Sequence, residues 1–104
     1  MIKNINEFKV LGEIIQKPVL MRSKNGNTII CSVKVMQGIK TIDGIQLYDI
    51  FNIRVKEKNL IEECKNIKIG DFVFFRGILE NQTENDIMSQ AILKAKELKV
   101  VANQ

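Results

Sequence analysis

The sequence has no tryptophan and no histidine, and only one proline, one tyrosine and two cysteines among its 104 residues. Without histidine the most common general acid–base group is missing. No nucleophile–base pair can be assembled except through lysine or carboxylates, and these form no constellation, so an enzyme is not expected. There is no C-x-x-C pair and no cluster of acids at ligand spacing, which leaves neither a metal site nor a cofactor fingerprint. Cys31 and Cys64 fall at expected core positions, one on a strand and one on a helix, and read as buried free thiols rather than a disulfide. No apolar run approaches the roughly 18 residues of a membrane span. The opening MIKNINEFKV holds no apolar stretch of the signal-peptide kind. The expectation is a cytoplasmic protein with no membrane association, folded as a single domain over residues 1–104. Net charge is +4, from 16 basic and 12 acidic residues. That balance permits a polyanionic partner without requiring one.

What the sequence does have is alternation. In Tyr48–Val55, Phe51, Ile53 and Val55 point one way and Ile50, Asn52 and Arg54 the other, the period of a half-buried strand. Lys56–Asn66 changes to helical spacing, with Leu60, Ile61 and Cys64 on one face. Gly70-Asp71 turns the chain. Phe72–Leu79 alternates again, placing Val73, Phe75 and Leu79 opposite Phe72, Phe74, Arg76 and Ile78. Gly77 inside that strand predicts a bulge or a close backbone approach.

Upstream, Phe8–Glu13 reads as the first strand, with Gly12 where it must bend sharply. Ile14–Met21 continues extended, and Pro18 suits an edge or a loop. Ser23–Asn27, around Asn25-Gly26, is a turn. In the second strand, Thr28–Met36, residues Ile29, Cys31, Val33 and Val35 face the core. Ser32, Lys34 and Met36 face outward or toward a ligand. Gln37–Ile45 is predicted as a hairpin loop and Asn81–Asp86 as a polar loop. Ile87–Val101 contains good helix formers. Its Ile92, Leu98 and Val100 also suit a strand with a bulge between them, and it is taken as the fifth strand because a barrel needs one to close. A strand, a short helix and a strand, with further strands on both sides, define an all-β OB-fold. The expected form is a five-stranded Greek-key barrel with one short helix between strands 3 and 4.

The non-core face of strands two and three carries Lys34, Met36, Tyr48, Ile50, Asn52, Arg54 and Lys56, so cations alternate with apolar surface. Binding a single nucleic-acid strand takes a basic groove for phosphates and flat surfaces for bases. Tyr48 is the best stacking candidate, with edge packing as the alternative. Arg54 can stack through its guanidinium plane, whereas Met36 and Ile50 lack a π face. Phe8, Phe51 and Phe75 read as core. Phe72 and Phe74 lie on the opposite face of strand four and are costly to expose in a monomer. They read as an oligomer interface, with base stacking as the second option. Lys94, Lys96 and Lys99 either extend the basic track or guard an edge strand.

Several of these residues also occur in a characteristic order: Asn6, Phe8, Gly12, Ile14, Gln16, Pro18 and Asn25-Gly26, then Asp49, Phe51, Asn52 and Val55, then Ile69-Gly70-Asp71, Val73 and Gly77-Ile78-Leu79. In that order and spacing the chain, from roughly Asn6 to Val101, resembles the bacterial single-stranded DNA-binding protein family. Arg76 stands where that family usually has an acid. The resemblance implies sequence-independent binding and protection of single-stranded DNA in replication, recombination or repair. It further implies a homo-oligomer (tetramer or dimer), contacts with replication proteins, and no catalysis. The family stacks bases on tryptophans and a phenylalanine. Ile50 and Lys56 stand at its third-strand aromatic positions, so weaker binding is expected, by on the order of 1–3 kcal/mol per platform lost. The family's acidic, apolar-tipped recruiting tail has no counterpart in Val101–Gln104, which makes this sequence resemble a small, tail-less member. The alternative is a protein-interaction OB module with weak nucleic-acid affinity, like the small dimeric primosomal proteins that resemble the same family. RNA binding of the cold-shock type would call for aromatic-rich surface motifs that the sequence lacks.

Overall fold

Alternating apolar residues commit the chain to strands whose two faces differ. The computed structural model describes the backbone of residues 3–24, 26–84 and 88–103, and their side chains apart from those of 39–41, 82–84 and 88–90. Its elements are β1 (Phe8–Ile14), β2 (Val19–Ser23), β3 (Gly26–Ile42), β4 (Ile45–Val55), α1 (Lys58–Cys64), β5 (Phe72–Glu84) and β6 (Met88–Ala102). Five of the strands follow one another as β1-β5-β6-β4-β3, and β1 pairs back onto β3 to close the ring. β2 lies outside the ring, antiparallel on β3. Only the β4–β6 contact is parallel among the described pairings. This is the five-stranded OB barrel, with α1 between its third and fourth strands.

The inner wall is apolar. Ile14, Val33, Ile53, Val55, Val73 and Phe75 are fully buried, and Phe8, Ile29 and Leu98 nearly so. Leu60 and Cys64 of α1 and the following Ile67 join the same cluster. The start of β5 is tied to the end of β1 through backbone bonds: Ile14 N–H donates to Asp71 O at 2.9 Å, and Gly70 N–H to Ile14 O at 2.8 Å. Gly70 takes a φ of 94°, which its lack of a Cβ allows. The buried Asp71 carboxylate accepts the Lys68 N–H at 2.9 Å, fixing the turn between helix and strand.

Closure depends on two glycines. β1 pairs with β5 along most of its length and with β3 at Glu13 and Ile14. A Cβ on Gly12 would strike the Lys34 carbonyl and the side chains of Val33 and Val35. A Cβ on Gly77 would strike the Lys94 carbonyl. The register jumps there, since Arg76 pairs with Glu97 and Gly77 with Ala95, which leaves Lys96 as the extra residue on β6. The predicted close approach at Gly77 and the predicted bulge in the last strand are therefore one feature.

The structure departs from the sequence reading at several points. Gln37–Ile45 is not a loop: β3 runs to Ile42, β4 starts at Ile45, and the turn is Asp43-Gly44, both with positive φ (53° and 80°), as a two-residue hairpin requires. Likewise β5 continues through Asn81 to Glu84, since polar side chains suit a ribbon solvated on both sides. Residues 85 and 86 of the expected loop, and Asn25 of the expected turn, lie outside the described residues. Ser32 was expected to face outward, but it is buried, donating to the Asn52 side-chain oxygen at 2.8 Å and accepting from Gln16 Nε2 at 3.0 Å. Leu79 was expected in the core but is exposed. It sits where β5 runs past β1, and the Asn6 side chain pairs with its backbone, donating to Leu79 O at 2.9 Å and accepting from Leu79 N–H at 2.8 Å.

Gly77→Ala should destabilise the barrel by about 1–3 kcal/mol or more, because the added methyl meets backbone rather than a mobile side chain. Urea unfolding followed by circular dichroism measures this, and the same midpoint as wild type would show that the β5–β6 contact can yield.

Candidate nucleic-acid interface

In the β3–β4 ladder, residues directly opposite one another share a face. The pairs Ile30–Arg54, Ser32–Asn52, Lys34–Ile50 and Met36–Tyr48 are in register. The intervening pairs, among them Cys31–Ile53 and Val33–Phe51, point inward. Six of the seven predicted residues, Lys34, Met36, Tyr48, Ile50, Asn52 and Arg54, therefore stand together on the outer wall. Lys56 follows two residues after Arg54, just beyond the strand. At about 3.3 Å per residue the face from Tyr48 to Arg54 runs roughly 20 Å. Met36, Tyr48 and Ile50 are 58%, 43% and 60% exposed, so it is open to a ligand.

The side chains on it are not independent. The Lys34 ammonium sits over the Tyr48 ring, 4.4 Å from its centroid, and 4.0 Å from Glu13. Asn52 is held by Ser32. At the ribbon end, Gln37 Nε2 donates to the Asp49 carboxylate at 2.7 Å. Lys56 pairs with Glu80 at 3.8 Å, and Lys94, beside Arg54 in the β4–β6 register, pairs with the same Glu80 at 3.3 Å. Lys94 thus joins the basic track. Lys96 is paired to Glu57 at 3.1 Å, and Lys99 lies opposite Phe74 on the β5–β6 wall. Arg54 has no ion pair among the described residues.

Sequence reasoning missed a contribution from β2. Its hairpin with β3 brings Arg22 and Asn27 beside Arg54 and Lys56, around a groove of about 430 Å³. A second groove of about 400 Å³ continues between β2 and α1, lined by Leu20, Arg22, Lys56, Lys58, Ile61 and Lys65. Neither local alternation nor spacing reveals it, because it forms only where an outer hairpin meets the helix.

Phe72 and Phe74 share the outer face of β5 with Leu11, which is the Cα partner of Phe74. Phe72 and Leu11 are exposed and Phe74 is half-buried. Leu11 and Phe72 also reach a cleft shared with Met36 and Tyr48. Phe8 and Phe75 are core, and Phe51 packs against it.

Among the described residues there is no group of three or more metal-ligating side chains, and no helix is long and apolar enough to cross a membrane. The two thiols are both buried and free. The hydrogen bond to Cys64, together with burial, holds the Cys31 thiol far above its ordinary range, so it stays protonated.

The same barrel occurs in solved structures. A small single-stranded DNA-binding protein from Streptomyces coelicolor matches with a TM-score of 0.69 at 17% identity, covering 94% of each chain. The mitochondrial single-stranded DNA-binding protein of S. cerevisiae matches at 0.77 and 16% identity, covering 98% of this chain and 99% of that one. A Plasmodium falciparum protein of this kind, solved in complex with single-stranded DNA, matches at 0.75 and 15% identity over the same shares. The chain has the fold of single-stranded DNA-binding proteins. At these identities the likeness speaks for the fold, and the chemistry rests on this chain's own residues. No family model and no curated protein matches the sequence.

Both thiols should react with a thiol reagent in the native protein about tenfold or more slowly than in denaturant, since they are buried and, for Cys31, not ionised. A timed absorbance assay measures it, and equal rates would place the cysteines at the surface.

Proposed function

We propose that the protein binds single-stranded DNA without sequence preference, as a non-catalytic module acting in replication, recombination or repair. The observation that carries this is the shared outer register of Lys34, Tyr48, Ile50, Asn52 and Arg54 on β3 and β4, an open face on which cations alternate with apolar surface. In an OB barrel that face, with the first and last hairpins beside it, is where a strand has room to lie. Phosphates would follow Lys34, Arg54 and Lys56. Bases would rest on Tyr48, Met36 and Ile50, and the Arg22 groove continues the cationic track past the barrel end.

A protein-interaction module on the same barrel is the second reading. It is favoured by the single aromatic ring on the face and by the carboxylates already paired with Lys34, Lys56 and Lys94. Titration of a thymidine oligomer by fluorescence anisotropy separates the two. Wild type should bind in a salt-sensitive manner. Lys34→Ala with Arg54→Ala should weaken binding across all base compositions and flatten its salt dependence by about 0.7 in log–log slope per cation removed. No binding below on the order of tens of micromolar at low salt, together with recovery of a helicase or polymerase in a pull-down, would select the second reading.

We also propose that the protein assembles as a dimer or tetramer through the outer face of β5. Leu11, Phe72 and Phe74 form an apolar surface there that a lone subunit would leave in water. Phe74→Glu should lower the sedimenting mass, and a variant that still sediments with wild type would reject this interface.

A further inference from the structure

Most cations on the proposed binding side already have a carboxylate beside them, and one of those carboxylates stands apart. Glu80 of β5 offers Oε2 to the Lys56 ammonium at 3.8 Å and Oε1 to the Lys94 ammonium at 3.3 Å. Each oxygen holds a different cation. Lys94 is the Cα partner of Arg54 across the parallel β4–β6 contact, which places a third cation on the neighbouring strand. The Lys94 side chain is only 21% exposed, so its stem is fixed by packing while its head reaches Glu80. The other pairs differ. Lys34 meets Glu13 at 4.0 Å through a single oxygen. Glu7 also serves two cations, Lys9 and Arg76, but through one oxygen and on the β1–β5 wall.

Two anionic oxygens, each accepting from a separate ammonium, are what the two non-bridging oxygens of a phosphodiester present. We infer that Glu80 is an internal stand-in for a backbone phosphate: in the free protein it occupies the node formed by Lys56, Lys94 and Arg54, and bound DNA has to displace it. The inference rests on the single-stranded DNA reading and deepens it, because it identifies the residue that sets how tightly the strand is held. A phosphate entering the node gains two ammoniums only as the carboxylate gives them up. The displaced carboxylate, still tethered nearby, then repels the incoming charge. Glu80 therefore lowers affinity and hides from salt titration the cations it neutralises.

The test is a binding cycle with a thymidine oligomer, read by anisotropy over a series of salt concentrations on the full chain. Glu80→Gln keeps the shape and removes the charge. It should bind about 3- to 10-fold more tightly than wild type at low salt, with a salt slope steeper by up to about 1.4, that is, two further phosphates at about 0.7 each. In a Lys56→Met/Lys94→Met background the same change should give no gain, which separates this node from a general effect of net charge. Should Glu80→Gln lower the melting temperature, Glu80→Ser carries the same comparison. If wild type binds and the charge-removing variant binds equally or more weakly, the inference is overturned while the binding reading stands. A gain that persists without Lys56 and Lys94 overturns it as well. If neither wild type nor the variant binds the oligomer at low salt, the binding reading fails and takes this inference with it.

Discussion

The barrel closes because backbone meets backbone at Gly12 and Gly77, where no side chain fits. Everything about the outer wall follows from that contact. β1 passes from β5 onto β3 only because Gly12 lets it lie against the Lys34 carbonyl and the side chains of Val33 and Val35. With the ring shut, the two faces of β3 and β4 become inside and outside, and a period-two sequence sorts itself between them. Cys31, Val33, Ile53 and Val55 have no choice but the core, and Lys34, Ile50, Asn52 and Arg54 none but the surface. The binding face is thus a consequence of closure.

The elements that were legible in the sequence are those with a steric or periodic cause. Strand alternation in β3 to β5 fixes which residues line the outer wall, since the side-chain period leaves no intermediate solution. Gly77 and the break between Ile92 and Leu98 were visible separately, and the structure joins them as one bulge on β6. Strand length beyond the barrel was not legible. Polar ribbons such as Asn81–Glu84, and the segment before Asp43-Gly44, have no buried face to impose alternation, so composition reads them as loops. Ser32 escaped for a different reason. A serine at an outward position reads as solvated, and only the joint geometry of Gln16 and Asn52 covers it and satisfies its hydroxyl.

The candidate site shows the same split. Its cations could be placed on a face from spacing alone, but their partners could not, because Glu13, Glu57 and Glu80 reach them from other strands and from the entry to the helix. Nor could the cationic groove at Arg22, Lys58 and Lys65, whose residues meet only through the packing of β2 against α1. A formal charge of +4 therefore understates the positive surface at that end of the barrel and overstates it along the Lys34–Lys56 face, where carboxylates are interleaved.

This interleaving bears on how a strand without tryptophan partners could be held at all. Tyr48 is the one aromatic ring on the face, and the Lys34 ammonium already lies over it. A base that stacks on Tyr48 must use the opposite side of the ring or displace that cation, and a displaced Lys34 is then free to meet a phosphate. Stacking and charge are coupled at this position rather than additive. With flat platforms scarce, the greater share of the binding free energy falls to the phosphates, which carry no sequence information. Binding of that kind is indifferent to base identity and strongly sensitive to salt, and its strength is governed by how readily Glu13 and Glu80 release their lysines. In such a design the acids of the face matter as much as its bases.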